Sequence, residues 1–218
     1  MKIKVMKKIL EHGEKTAEEL RELLKSKGIL YLNLMSSPGS GKTTIIERTV
    51  SSLPEFKFGV IEGDIQTTLD AERMATLGVK TYQINTGPFG GDCHLEAPWV
   101  ATGIHEMNVD GLDILFVENI GNLVCPAEFD IGAHYNTVVL SVTEGEDKPL
   151  KYPLAFRVSQ VVIVSKIDLL PHLDVSLNKI EENIKKVNPS IKIIPLSAKT
   201  GEGFDRWLDF LRKSRNFQ

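Results

Sequence analysis

Cysteine is scarce in this sequence, where Cys93 and Cys125 are the two examples among 218 residues. Two cysteines are too few for a disulfide framework, so the sequence excludes a small secreted domain held together by disulfides. Low-complexity tracts and internal repeats are also missing, which excludes repeat architectures. We therefore expect a globular protein of the reducing cytoplasm.

Long apolar runs and an excess of positive charge are missing too. No run approaches the roughly 20 residues of a membrane span, and the amino-terminal residues lack the apolar segment of a signal peptide. The 26 Lys and Arg residues are outnumbered by 29 Asp and Glu residues, which leaves a net charge of −3. We therefore expect neither a membrane nor a nucleic acid as a partner.

The apolar residues that are present form short runs, and these alternate with segments of helical periodicity. The predicted strands span residues 29–35, 56–61, 81–84, 112–117, 137–142, 161–164 and 191–196. The predicted helices after the first strand span residues 44–50, 67–77, 93–107, 174–187 and 203–211. Because such apolar strands alternate with helices, we expect an α/β fold of three layers, with helices on both faces of a mostly parallel sheet.

The segment from Ser36 to Thr43 has the layout of a phosphate-binding P-loop, since it joins a predicted strand to a predicted helix. Gly39 and Gly41 let the backbone curl so that successive N–H groups face an anion, and the helix dipole adds to this field. Lys42 can reach the β- and γ-phosphates, and the Thr43 hydroxyl can bind Mg²⁺. The alternative is a Gly/Ser turn that happens to precede a lysine.

One departure from the P-loop motif is visible at its first position. The motif G-x-x-x-x-G-K-[S/T] begins with glycine, whereas this chain has Ser36 there. Ser36 allows fewer backbone conformations than glycine where the chain leaves the strand. The glycines nearest to the phosphates are still in place. The predicted phosphate-binding residues are Gly39, Ser40, Gly41, Lys42, Thr43 and Thr44.

The chain is long enough for one α/β domain of good size. We assign residues 29–218 to a P-loop domain and residues 1–28 to a helical arm packed on it. The arm is predicted to consist of helices broken near His12 and Gly13, with Gly28 as a C-cap before the first strand.

Two later segments indicate the base of the nucleotide. Ser165-Lys166-Ile167-Asp168 follows a predicted strand at the place of the Asn-Lys-x-Asp motif of GTPases, and its serine could loosen base binding. Asp168 can accept hydrogen bonds from guanine N1–H and N2–H, which adenine does not offer as a pair, while the Lys166 stem covers the base. Ser197-Ala198-Lys199 matches the fifth GTPase motif, in which a backbone N–H reads guanine O6. Together the segments predict GTP rather than ATP.

The hydrolytic residues are predicted at two further strand ends. Glu118 begins an Asp-x-x-Gly-like segment, so its carboxylate can hold Mg²⁺ with Thr43, and the Gly121 N–H can sense the γ-phosphate. Asp64 is a candidate for orienting the attacking water, and its alternative role is a helix N-cap. The predicted catalytic residues are thus Lys42, Asp64 and Glu118. Because no obvious glutamine or arginine finger follows Gly121, we expect slow intrinsic hydrolysis.

These residues resemble the HypB family, the GTPases that help to deliver nickel to hydrogenases. The resemblance covers roughly residues 30–211 and is most specific in five segments. These segments are residues 62–64, 70–73, 93–96, 118–126 and 143–148. The resemblance implies a SIMIBI-class fold and a GTP-dependent homodimer that binds Ni²⁺ or Zn²⁺ near its interface. It also implies other hydrogenase maturation proteins and the hydrogenase large subunit as partners. This sequence shows neither the amino-terminal cysteine motif nor the histidine-rich stretch of some relatives, so the resemblance does not imply a nickel-storage role.

The metal ligands implied by the resemblance are Cys93, His94 and Cys125. Thiolate and imidazole suit Zn²⁺ and Ni²⁺. Cys93 precedes a predicted helix, whose dipole would favour the thiolate, and adjacent Cys93 and His94 can share an ion only if they lie in a turn. Chemistry alone leaves open an alternative, two ordinary free cysteines beside a surface histidine.

Three other functions compete with a GTP-hydrolysing metallochaperone. The first is a urease accessory GTPase of the UreG type, although that family carries Cys-Pro-His at the metal loop where this chain has Cys93-His94. The second is a P-loop small-molecule kinase, which would not need Asp168 as a guanine reader. The third is a nucleotide-gated scaffold without enzymatic activity.

Overall fold

The computed structural model describes residues 2–64, 74, 77–87 and 93–215, with side chains from residue 11 onward. Its strands are β1 Leu30–Ser36, β2 Phe58–Asp64, β3 Lys80–Asn85, β4 Ile114–Gly121, β5 Tyr135–Ser141, β6 Val161–Ser165 and β7 Lys192–Pro195. They form one sheet in the order β3-β2-β4-β1-β5-β6-β7, and every neighbouring pair is parallel. The predicted α/β class with a parallel sheet is therefore confirmed.

Helices cover both faces of this sheet. They are α1 Lys2–Ser26, α2 Lys42–Ser52, α3 Ala97–Met107, α4 Lys148–Lys151, α5 Pro153–Val158, α6 Leu177–Val187 and α7 Phe204–Arg215. The central strand β1 shows why two layers are needed. Leu30, Leu32 and Leu34 share an apolar cluster with residues of α2 and α7, whereas Tyr31 lies in a second cluster with residues of α1 and α3. Successive side chains of a strand point to opposite faces, so a strand this apolar must be covered on both.

The helical arm differs from the prediction, because α1 runs through His12 and Gly13 as one continuous helix. A single glycine in a helix costs only about 1 kcal/mol relative to alanine, which packing of the helix can offset. The predicted C-cap is confirmed at Gly28, which has φ 65°. The N–H of Ile29 donates to the carbonyl of Leu24 at 2.9 Å, which closes the helix end as expected for a left-handed cap.

Several other element boundaries also differ from the prediction, and two of them lie close to the sites described below. Strand β4 continues four residues past Val117 to Gly121, since Gly121 still pairs with Ser36 of β1. Helix α3 begins at Ala97 rather than at Cys93, and Pro98 lies in its first turn, where the fixed φ of proline suits a helix start.

Part of the prediction falls on undescribed residues. The helix expected over residues 67–77, with the 70–73 segment, lies mostly outside the described residues, as does the loop expected over residues 87–91. Among the helices of the described ranges, none combines the length and apolar character that a membrane span requires.

Adjacent leucines of α1 provide a test of how firmly this helix belongs to the folded unit. Leu24 is completely buried, whereas Leu23 is 42% exposed. We expect Leu24→Ala to lower the free energy of unfolding by about 2–5 kcal/mol, because it leaves a cavity under α1. Leu23→Ala is the matched control and should cost less than about 1 kcal/mol. Urea unfolding followed by circular dichroism measures both, and equal small losses would mean that α1 unfolds separately.

Candidate nucleotide and metal sites

The P-loop curls around an open cleft at the carboxyl ends of the strands. Gly39 and Gly41 have φ values of 73° and 99°, a backbone conformation that would be strained in a residue with a side chain. The cleft has a volume of about 530 Å³. Its lining comprises residues 38–44, Gly63, Asp64, residues 118–121 and Lys166. The structure therefore brings together the predicted phosphate-binding residues Gly39 to Thr44 with Asp64, Glu118 and Gly121.

A hydroxyl and a carboxylate face each other at the floor of this cleft. The Thr43 hydroxyl donates to Glu118 Oε1 at 2.9 Å, and the buried Lys42 Nζ lies 3.9 Å from the same oxygen. Oxygen ligands of this kind fit Mg²⁺, which binds through one or two protein groups and substrate phosphates. Lys42 Nζ also donates to Ser36 Oγ at 2.9 Å, so the serine at the first motif position holds the lysine.

Gly121 brings the end of β4 against the P-loop. A Cβ atom at this position would lie 2.9 Å from Pro38 Cγ and 3.1 Å from Pro38 Cα. Real Cβ atoms essentially never come as close as the 2.9 Å to Pro38 Cγ, so a larger residue would force Pro38 or the end of β4 to shift. Glycine therefore permits this close approach at position 121, where the predicted γ-phosphate contact would be made.

A second cavity of about 240 Å³ adjoins the phosphate cleft. Its lining comprises Ser40, Gly41, Thr44, Ile45, Ser165, Lys166, Asp168, Leu169 and residues 197–199. Ser40, Gly41 and Lys166 also line the phosphate cleft, so the two spaces are continuous. All the predicted base-reading residues thus meet beside the P-loop, in a space suited to the planar end of a nucleotide.

The serine that replaces the asparagine of the base motif has a defined contact. Ser165 Oγ donates to the carbonyl oxygen of Ser40 at 2.7 Å and thereby ties β6 to the P-loop. Lys166 adopts a left-handed backbone with φ 60°, and its Nζ donates to the carbonyl of Gly39 at 2.6 Å. The Lys166 stem therefore runs along the P-loop between the two cavities.

Glu144 is a P-loop contact that our sequence analysis did not identify. Its Oε1 accepts from the backbone N–H of Ser141 at 3.0 Å and lies 2.7 Å from Ser40 Oγ. Lys148 Nζ lies 3.3 Å from the other carboxylate oxygen. The spacing of Ser141 and Glu144 is that of a capping box, which is the sequence signal that could have found this residue.

The three predicted metal ligands come together, with Cys125 on the segment that follows β4 and with Cys93 and His94 just before α3. Their ligand atoms, from Cys93, His94 and Cys125, all lie within 4.8 Å of one another. The His94 ring stacks on Phe129 with centroids 3.8 Å apart. Among the described residues, neither of the two buried ring nitrogens has a hydrogen-bond partner, and Glu96 Oε1 lies 3.8 Å from Nε2. An imidazole beside two thiols in this way suits Zn²⁺ or Ni²⁺.

The expected thiolate at Cys93 is wrong for the metal-free protein. Cys93 lies four residues before the first residue of α3, too far for the helix dipole to act strongly on it. Its hydrogen bond with Cys125 and its burial raise the pKa of the Cys93 thiol above the usual value. A metal ion that binds here must therefore displace a proton.

Asn122 links the two sites, and our sequence analysis gave it no role of its own. Its backbone forms an antiparallel bridge with Ser36 at the start of the P-loop. Its side-chain Nδ2 donates to the carbonyl of Cys93 at 3.4 Å, and its Oδ1 accepts from the N–H of Val124 at 2.8 Å. Both cysteine-bearing segments are thus attached to one residue that touches the P-loop.

Comparison with known proteins agrees with this geometry. The family model described as the CobW/HypB/UreG nucleotide-binding domain matches residues 30–195. The hydrogenase maturation factor HypB of Escherichia coli is 45% identical over 95% of this chain and 71% of its own length. The hydrogenase/urease maturation factor HypB of Helicobacter hepaticus is 43% identical over 99% of this chain and 90% of its own length.

Solved structures show the same fold. The crystal structure of HypB from Helicobacter pylori in complex with nickel is 38% identical, with a TM-score of 0.88, and covers 94% of this chain and 95% of that one. The 54 kDa signal recognition particle protein of Aeropyrum pernix, a SIMIBI-class protein, matches at a TM-score of 0.58 and 16% identity, over 91% of this chain and 54% of its own. The latter supports the fold class alone. The chain belongs to the HypB family of hydrogenase maturation factors, within the CobW/HypB/UreG group of nucleotide-binding domains.

Proposed function

We propose that this chain is a GTP-hydrolysing metallochaperone that binds Ni²⁺ or Zn²⁺ and assists nickel insertion into [NiFe]-hydrogenase. The observation that carries the proposal is that Asn122 contacts both sites. Its backbone bridges to Ser36 at the phosphate cleft, and its side chain donates to the carbonyl of Cys93 in the Cys/His cluster. A metal carrier controlled by a nucleotide needs such a structural link between its nucleotide site and its metal site. Support also comes from relatives whose names contain hydrogenase maturation, and from the nickel complex of the Helicobacter pylori protein.

GTP is the proposed nucleotide because of Asp168 in the base cavity. Its carboxylate would accept from guanine N1–H and N2–H, and adenine does not offer these two donors together. Each hydrogen bond to a charged group contributes about 1.5–3 kcal/mol, so the discrimination would be strong. A backbone N–H of residues 197–199 would add a contact to guanine O6.

For hydrolysis, each group of the cleft has a separate proposed role. Lys42 stabilises negative charge on the transferred phosphoryl group, and Asp64 orients the attacking water. The N–H of Gly121 contacts the γ-phosphate. Thr43 and Glu118 would hold Mg²⁺, which when bound neutralises charge between the β- and γ-phosphates. GDP and phosphate are the products, and we expect a slow intrinsic rate because no obvious glutamine or arginine finger follows Gly121 in the sequence.

The metal ion is the cargo, held by Cys93, His94 and Cys125. One chain supplies three ligands, whereas tetrahedral and square-planar sites need four. We propose that a GTP-dependent homodimer brings a second set of these residues near the first, with water as the alternative fourth ligand. Release of the γ-phosphate contact at Gly121 would then change the geometry of the Cys125 loop and favour metal transfer.

The rival functions are less well supported. A small-molecule kinase has no use for the guanine-reading cavity at Asp168. A urease accessory role is represented in the name of the Helicobacter hepaticus relative, yet hydrogenase appears in the names of both this relative and that of Escherichia coli. The proposed setting is the reducing cytoplasm, where Cys93 and Cys125 stay available as ligands. The proposed partners are other hydrogenase maturation proteins and the hydrogenase large subunit.

The nucleotide part of the proposal predicts separate losses of binding and turnover. Wild-type protein should bind GTP much more tightly than ATP in calorimetric titrations. Asp64→Ala should keep GTP affinity and lose most phosphate release, since it removes only the positioning of water. Lys42→Ala should abolish turnover, and Asp209→Ala, on the exposed face of α7, is the matched control that should change neither quantity. If Asp64→Ala hydrolyses GTP at the wild-type rate, Asp64 does not orient the attacking water. If the wild-type protein binds GTP and ATP with equal affinity, the proposal that it selects guanine is wrong.

The metal part of the proposal predicts thermodynamic coupling between the two sites. A non-hydrolysable GTP analogue should change Ni²⁺ affinity by about 5–150-fold, and Ni²⁺ should change analogue affinity by the same factor. Asn122→Ala should bind each ligand alone and lose this coupling.

Cys93→Ala and Cys125→Ala serve as controls for the coupling experiment. Both should lose Ni²⁺ binding and still bind the GTP analogue. Sedimentation of the same samples reports whether a dimer forms with the analogue. Ni²⁺ binding by both cysteine variants at wild-type affinity would show that these thiols are not ligands.

A further inference from the structure

Arg48 in the P-loop helix α2 contacts the loop that would read the base. Its Nη1 donates to the carbonyl of Ala198 at 2.6 Å and lies 3.2 Å from the carbonyl of Lys199. Thr44 and Ile45 of the same helix line the base cavity, whereas Arg48 lies one turn farther along and is not among the lining residues. Arg48 therefore supports the loop from outside the cavity.

The loop is shaped to accept this guanidinium. Gly201 has φ 92°, and a Cβ atom there would lie 2.4 Å from Arg48 Nη2. The guanidinium carbon also stands 5.3 Å from the centroid of the Phe204 ring, within the range of a cation–π contact. A charged side chain packed between backbone carbonyls, a glycine and an aromatic ring holds one definite position.

Hydrogen bonding within the loop leaves two N–H groups for a ligand. The N–H of Ser197 donates to Glu202, that of Gly201 donates to the Ser197 carbonyl, and that of Thr200 donates to Ser197 Oγ. In the described part of the chain, the N–H groups of Ala198 and Lys199 have no hydrogen-bond partner. These two residues are also the ones that line the cavity next to Asp168.

The carbonyl contacts of Arg48 control the direction of a free N–H. The Ala198 carbonyl and the Lys199 N–H belong to one planar trans peptide, so they point in opposite directions. A guanidinium that holds the carbonyl on the α2 side consequently turns the N–H away from Arg48. We propose that Arg48 is a positioning residue that orients the loop of residues 197–199 so that a backbone N–H reads guanine O6. The inference rests on the proposed GTP function.

The test compares nucleotides that differ in the O6 acceptor. Inosine triphosphate keeps O6 and N1–H, whereas 6-thioguanosine triphosphate keeps both donors to Asp168 and replaces O6 with sulfur, a weaker acceptor. Arg48→Ala should weaken the binding of GTP and of inosine triphosphate about tenfold, as expected for loss of one hydrogen bond. It should weaken the binding of 6-thioguanosine triphosphate less than about twofold. Arg48→Lys should be intermediate, because an ammonium can replace one of the two carbonyl contacts.

Thr49→Val is the matched control, one residue along the same helix. Thr49 Oγ1 accepts from Trp207 Nε1 at 2.9 Å, so this variant also loosens α2 from α7 but leaves the loop carbonyls alone. It should lower the Tm without changing the ratio of GTP to 6-thioguanosine triphosphate affinity. Thermal unfolding of each variant, measured in parallel, separates loss of folding from loss of selectivity.

Two results would overturn the inference. One is a wild-type protein that binds GTP and 6-thioguanosine triphosphate equally, and the other is a ratio that stays at the wild-type value in both Arg48→Ala and Arg48→Lys. In either case the preference of the wild type for GTP over ATP still reports on the guanine proposal by itself. The role of Arg48 can therefore fail while the proposed function stands.

Discussion

The contact between the end of β4 and the P-loop is the constraint on which both sites depend. Glu118 accepts from Thr43 at 2.9 Å, and Gly121 lies so close to Pro38 that a Cβ atom would stand 2.9 Å from the proline ring. The chain that leaves β4 therefore starts its next turn at the phosphate cleft. Four residues after Gly121 the same segment delivers Cys125 to the Cys/His cluster. The phosphate cleft and a member of the Cys/His cluster are therefore separated by only four residues of chain.

Side chains from several strands hold the P-loop itself. The Ser36 hydroxyl accepts from Lys42, the Ser165 hydroxyl donates to the Ser40 carbonyl, and Glu144 approaches the Ser40 hydroxyl. Ser36 and Ser165 are two of the positions at which this chain departs from common GTPase motifs. Each serine hydroxyl makes a hydrogen bond to a P-loop residue. Ser36 thus supplies a hydroxyl contact where the common motif has a flexible glycine, and Ser165 supplies one where it has an asparagine amide. The proposed nucleotide site is thus organised before a ligand arrives, which reduces the ordering cost of binding.

The Cys/His cluster brings one imidazole, whose two nitrogens are buried, together with two free thiols. The pKa of Cys93 is raised by its hydrogen bond with Cys125, and the His94 ring is held against Phe129. Metal binding at this cluster must release protons and satisfy ring nitrogens that make no hydrogen bond within the described residues. These features suit reversible binding of a cargo ion, because protons and metal compete for the same atoms.

Local sequence patterns determined the strands, the P-loop and the base-reading segments. Apolar runs, glycine spacing and Asp168 act over a few neighbouring residues, so their effect can be read directly from the sequence. Two helix boundaries depend on more than these patterns. Packing of α1 offsets the cost of Gly13 within the helix, and the fixed φ of Pro98 suits a start of α3 at Ala97. Only the tertiary structure could place Glu144 beside Ser40, 104 residues away, or Arg48 against the 197–199 loop. Such contacts depend on the order of strands in the sheet, and no short pattern in the sequence encodes that order.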